Sequence, residues 1–149
     1  MPAIAILTGA SSGIGAAAAQ QFMDRGDTVI NISRRDCPVA GVETIGTDLG
    51  DAKSLASTCA ALSERLGSQP DGPVCLVHNA SLMLKDRCDV TSDEDLERVL
   101  AVNVVSINAI NRTLLPQMPR GSSVLYVGST LSENCLLYTS PSPRDDPLS

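Results

Sequence analysis

With 149 residues, 43% of them hydrophobic and only 2% aromatic, the chain is long enough for one domain whose core must come from Ala, Val, Ile and Leu. A formal charge of −6 excludes nucleic acid and anionic membrane as expected partners, because too few bases are present to neutralise their phosphates. The five cysteines form no CxxC pair, no run of about 18 apolar residues appears, and the N-terminus lacks a secretory pattern; the expectation is a reduced, cytoplasmic protein with neither a metal site nor a membrane span.

The chain opens on an apolar run, Ala3 to Leu7, that suits a strand buried on both faces, followed by a glycine-rich turn and a helix from about Ile14 to Arg25. Thr28 to Ile32 is a β-branched second strand, Arg34 to Gly41 a polar loop, and Val42 to Gly46 a short third strand. Asp51 caps a helix with Leu55, Cys59, Leu62 and Leu66 at helical spacing. A turn from Ser68 to Gly72 leads into a fourth strand from Pro73 to Val77. Ser92 and the acidic Asp93, Glu94 and Asp95 mark the start of a helix running to about Leu115, and Ser123 to Val127 is a fifth strand. This alternation predicts an α/β fold: an incomplete Rossmann-like doubly wound parallel sheet of about five strands in the order 3-2-1-4-5, carried by residues 1–134.

Between the first strand and its helix lies Thr8-Gly9-Ala10-Ser11-Ser12-Gly13-Ile14-Gly15, where backbone N–H groups can meet a dinucleotide pyrophosphate. Gly9 suits the tight turn, Gly13 a close approach of backbone to phosphate, and Gly15 the packing of helix on strand. At the end of the second strand, where an acidic residue would hold the ribose hydroxyls of NAD, stands Ser33, followed by Arg34 and Arg35. Forked guanidinium donors beside a non-acidic residue suit a phosphate, so NADP(H) is expected over NAD(H). His78, the lone histidine, reads as a packed or hydrogen-bonded strand-end residue.

The segment TGASSGIG resembles the TGxxxGIG cofactor motif of the short-chain dehydrogenase/reductase family, and further segments agree in order. Asp48-Leu49 is similar to the family's Asp-Leu step, whose carboxylate meets the adenine. His78-Asn79-Ala80-Ser81 resembles its NNAG, with His for the first Asn and Ser for Gly. Asn103 stands at the family's active-site helix Asn, and Ser129 matches its catalytic serine. Taken alone, Asp48 reads equally as a helix-flanking residue, Asn103 as a polar residue on a half-exposed face, and Ser129 as a turn serine. The resemblance implies that Gly9, Ser11, Ser12, Gly13, Ile14 and Gly15 hold the pyrophosphate, Arg34 and Arg35 the adenosine phosphate, and Asp48 and Leu49 the adenine. It implies further that Asn79 and Ala80 serve the nicotinamide-side ribose, that Ser129 and Asn103 serve catalysis, and that the substrate is a small carbonyl or alcohol. A full-length parent of this family is expected to be a homodimer or homotetramer. The other function carried by the same residues is a non-catalytic NADP-binding regulatory module.

The family's YxxxK proton donor belongs near position 142, which is Ser142; the residue four after Tyr138 is that same serine, and the lysines are Lys53 and Lys85. The expectation is a chain that stops before its catalytic Tyr and Lys and does not turn over. Cys135 to Asp145 (CLLYTSPSPRD) resembles a translated transposase adapter used in sequencing libraries, so 135–149 is expected to be a non-native or disordered tail.

Overall fold

The structure, a computed structural model, describes residues 3–67, 72–84 and 90–129. The expected turn at 68–71 and the tail from 135, with Tyr138, lie outside the described residues. Five parallel strands form one sheet in the order β3-β2-β1-β4-β5: β1 Ile4–Thr8, β2 Thr28–Ser33, β3 Glu43–Gly46, β4 Val74–His78 and β5 Ser123–Tyr126. The expected order is therefore the observed one, with each strand within a residue or so of its expected bounds. Register aligns Thr8 with Ile32 and with His78, and His78 with Tyr126, so four strands end together along one edge of the sheet. The chain reverses its direction of growth between β1 and β4, and a crevice opens at their carboxyl ends.

Alternation along β1 explains why it is continuously apolar. Ala5 and Leu7 face α1 (Gly13–Asp24) with Ala19 and Val29, while Ile6 points to the other layer with Ile30, Ile32 and Leu76. The second layer is α2 (Ala52–Leu66) and α4 (Ser106–Leu114), which contribute Leu62, Ile110 and Leu114, all with no exposed surface. Each such side chain contributes about 1.5–3 kcal/mol by leaving water. Against β1 and β2 on this side, α1 packs Ala18 and Ala19 together with Phe22 and Met23.

Both expected caps are present. The Asp51 carboxylate accepts from Ser54 N–H at 2.7 Å and the Ser92 hydroxyl from Asp95 N–H at 3.1 Å. The helix after Ser92 differs from the single regular helix expected: α3 (Asp93–Leu100) passes into a π turn (Ala101–Val105), then α4, then a 3-10 turn (Leu115–Gln117). In the π turn Ser106 N–H donates to the Ala101 carbonyl, five residues back. The whole helical run, Asp93–Gln117, is long and apolar enough on average to cross a membrane by length and composition alone, a test that the core helix of a soluble protein also passes. Its buried stripe, Ser106, Ile110 and Leu114, lies against the sheet, while Leu96, Leu100, Val104 and Leu115 are exposed.

Candidate functional site

The turn after β1 is shaped by contacts that only glycine allows. Gly9 has φ +73°, and a Cβ there would lie 2.9 Å from Ala80 Cα. Gly15 has ordinary helical φ, but a Cβ would lie 2.4 Å from the Gly9 carbonyl oxygen and 2.5 Å from Asn79 Nδ2. The close packing expected of Gly15 is thus against the turn itself and Asn79. Gly13, at φ +55°, has nothing within 4 Å of its Cβ position, so the side where an anion would approach is open. Ser12 is the N-cap of α1 with extended backbone and its side chain makes no capping bond, which leaves the first N–H groups of the helix without a side-chain cap. Ile14, beside them, is 69% exposed despite being apolar.

Asn79 holds this turn in place. Its Nδ2 donates to the carbonyls of Thr8 and Gly9 at 3.2 and 3.0 Å, and its N–H, with that of Ala80, donates to the Thr8 hydroxyl at 3.0 Å. The Nδ2 of Asn79 thus braces the end of β1, while the residue itself lines the cleft described next.

A cleft of about 330 Å³ brings together most of the residues expected from sequence: Gly9, Ser11 and Ser12 from the turn, Arg34 and Arg35 after β2, Asp48 and Leu49 after β3, and Asn79 and Ala80 after β4. Leu49 is buried, and Asp48 uses Oδ1 to accept from Gly50 N–H at 2.9 Å. Arg98 and Val102 from the α3 helical run also line the cleft, as does Ser33; sequence reading gave Arg98 and Val102 no role because only the packing of the helix brings them there. Among the described residues Arg34, Arg35 and Arg98 form no ion pair, the salt bridges being Arg25–Asp27 and Arg65–Glu43. A protein of net charge −6 thus places three guanidinium groups against one carboxylate in its cleft, which focuses a positive field there. No group of three or more metal-ligating side chains occurs among the described residues.

Gly13, Ile14 and Gly15, at the start of α1, lie outside this cleft's lining, as do Asn103 and Ser129. Asn103 sits in the π turn and pairs with Leu82 in both directions: Nδ2 donates to the Leu82 carbonyl and Oδ1 accepts from Leu82 N–H, both at 2.8 Å. It imitates a strand neighbour for the segment leaving β4. Ser129 is exposed, three residues beyond β5. The buried His78 forms a cluster that sequence reading foresaw only in outline: Nε2 meets Asn111 Oδ1 at 2.9 Å, Asn111 Nδ2 donates to the Tyr126 hydroxyl at 2.8 Å, and the rings of His78 and Tyr126 stack at 5.0 Å. Burial lowers the pKa of His78 below 6.5, and the Asn111 bond partly opposes it.

A glycine turn feeding a helix at the reversal point of a parallel sheet defines a Rossmann-like α/β protein. The sequence profile of short chain dehydrogenases matches residues 3–140, and the chain belongs to that family. The oxidoreductase YvrD of Bacillus subtilis, itself uncharacterized, is 33% identical over 121 residues, which is 77% of this chain and 46% of that protein. The short chain dehydrogenase AusX of Aspergillus calidoustus is 31% identical over 85% of this chain and 51% of its own length. Among solved structures, a short chain dehydrogenase/reductase oxidoreductase from Brucella ovis, in complex with a partially ordered NAD, is 29% identical with a TM-score of 0.68, covering 78% of this chain and 58% of that one. The chain spans about half the length of the curated relatives it matches.

Proposed function

We propose that this chain is the cofactor-binding half of an NADP(H)-dependent oxidoreductase acting on a small carbonyl or alcohol. The observation that carries the reading is the pairing of an open glycine turn at the α1 N-terminus with Arg34 and Arg35, which form no ion pair among the described residues, beside Ser33 where a carboxylate would repel the additional phosphate of NADP. The donor set fits a phosphorylated dinucleotide: N–H groups of Ser12, Gly13 and Ile14 for the pyrophosphate, the arginines for the adenosine phosphate, and Asp48 and Leu49 for the adenine.

The bound cofactor supplies a hydride. The chain's own residues bind and orient. The Ser129 hydroxyl aligns the substrate oxygen, and Asn103 fixes the backbone at Leu82 beside the reacting end of the crevice. The proton donor is a Tyr-Lys pair that this sequence does not contain, so the chain by itself binds cofactor without turnover. The exposed Leu96, Leu100, Val104 and Leu115 suit a helix face used in a full-length homodimer or homotetramer. The free thiols Cys37, Cys59 and Cys75 suit a reducing, cytoplasmic location. Calorimetric titration tests the reading: the full-length protein is expected to bind NADPH at least about tenfold more tightly than NADH, a difference of about 1.4 kcal/mol. Equal affinity, or none, refutes it.

A further inference from the structure

Asn31 lies in β2 between Ile30 and Ile32 and has no exposed surface. An unbonded amide there would cost several kcal/mol, about 2–7 by transfer, whereas a valine would fill the position without that penalty. The amide is bonded at both ends. Its Oδ1 accepts from Ala10 N–H at 2.9 Å, inside the glycine turn. Its Nδ2 hydrogens are shared among Ser33 Oγ at 3.1 Å, the Arg35 carbonyl at 3.2 Å and Thr44 Oγ1 at 3.1 Å. Ser33 Oγ bonds the Arg35 backbone in turn, and Thr44 Oγ1 accepts from Cys37 N–H at 3.2 Å. One carboxamide therefore joins the segment that meets the pyrophosphate to the loop that presents the arginines, and a fully bonded buried network of this kind holds a single geometry.

We propose that Asn31 is a positioning residue that sets the spacing between the glycine turn and the Arg34–Arg35 loop, and that discrimination between NADPH and NADH depends on it. The inference rests on the reading of the cleft as an NADP(H) site. NADH uses the turn, whereas NADPH uses the turn and the loop at once, so loosening their connection penalises NADPH more.

The test is calorimetric titration of NADPH and NADH into the full-length protein, as wild type, Asn31→Val and Thr44→Val. Asn31→Val removes every bond of the amide. Thr44→Val, a near-isosteric change outside the cleft lining, removes the Thr44 bonds to the Asn31 amide and to Cys37 N–H and leaves the Asn31 bonds to Ala10, Ser33 and Arg35 in place. Asn31→Val is expected to narrow the ratio of NADPH to NADH affinity about tenfold, and Thr44→Val about threefold with NADH affinity unchanged. If the folded variants keep the wild-type ratio while melting earlier, Asn31 is only a structural residue and the inference is overturned; should Asn31→Val not fold, Thr44→Val decides by the same ratio. A wild-type protein without NADPH preference brings down the cofactor reading and this inference together, whereas a wild-type preference unmoved in the variants brings down the inference alone.

Discussion

Replacing Gly15 by Ala sets two effects against each other. In the first turn of α1, alanine is the better helix former by about 0.5–1 kcal/mol. The new Cβ, however, would sit 2.4 Å from the Gly9 carbonyl oxygen and 2.9 Å from Ala10 Cα, and both are backbone atoms that no rotamer change removes. The helix start must move away from the turn, an overpacking cost of about 1–3 kcal/mol. Because Asn79 Nδ2 lies 2.5 Å from the same position, its 3.0 Å bond to Gly9 also lengthens, forfeiting about 1 kcal/mol more. Sterics win, and the net destabilisation is about 1–3 kcal/mol, seen as a melting temperature lowered by about 2–4 °C per kcal/mol. Nucleotide affinity is expected to fall with it, since the displaced atoms belong to the turn proposed to meet the pyrophosphate. Gly13→Ala is the control: its Cβ meets nothing within 4 Å, so only the left-handed φ of +55° is penalised, by about 1–2 kcal/mol, with the turn left in place. Thermal denaturation and NADPH titration of both full-length variants check this. A Gly15→Ala protein that melts at or above the wild-type temperature and binds NADPH normally would refute the steric argument.

Removing both guanidinium groups, Arg34→Ala with Arg35→Ala, is expected to weaken NADPH about 10- to 100-fold and NADH by less than about threefold, read by titration, with the NADPH loss shrinking at high salt. His78 gives a pH signature. Its folded pKa lies below the unfolded 6.5, so the unfolded chain takes up a proton first; the stability that His78 contributes is complete above about pH 6.5 and is lost as pH falls from there through the lowered folded value. Melting temperatures followed through this range should fall on the acid side in the wild type and less steeply in His78→Gln; parallel curves exclude the assignment. Expressed alone, the 149-residue chain is expected to show no NADPH-dependent carbonyl reduction and to self-associate through β5, an edge among the described strands that exposes Leu125, Tyr126 and Val127. A monomer with sharp cooperative melting, judged by light scattering and calorimetry, contradicts the second expectation, and turnover contradicts the first.

What could be read from the chain before folding was whatever repeats a local period or a local chemistry. Strand β1 and the Asp51 and Ser92 caps show themselves in a few consecutive residues, and the order of β1 to β5 follows from the handedness of crossovers. The π turn does not, because nothing in Ala101 to Val105 distinguishes five residues per bonded loop from four; the Asn103–Leu82 pairing that accompanies it is a tertiary contact. Asn31 was similarly silent: in TVINIS an asparagine reads as a weak strand former, and its partners at Ala10, Arg35 and Thr44 become visible only when three segments meet. Asn79 was found through its motif, yet its partners, Thr8 and Gly9, lie some 70 positions earlier in the chain.

The wide turn at Ala101–Val105 carries one residue more than an ordinary helical turn, and that gives the helix a place to lose length. Five residues at about 80° each turn the side-chain direction about as far as four at about 100°, so removing one here would leave Ile110 and Leu114 still directed at the sheet. What such a shortening would forfeit is the widened backbone from which Asn103 reaches Leu82. The regular stretch Ser106–Leu114 has no such slack: one residue gained or lost there would swing the oily stripe beyond it by about 100°.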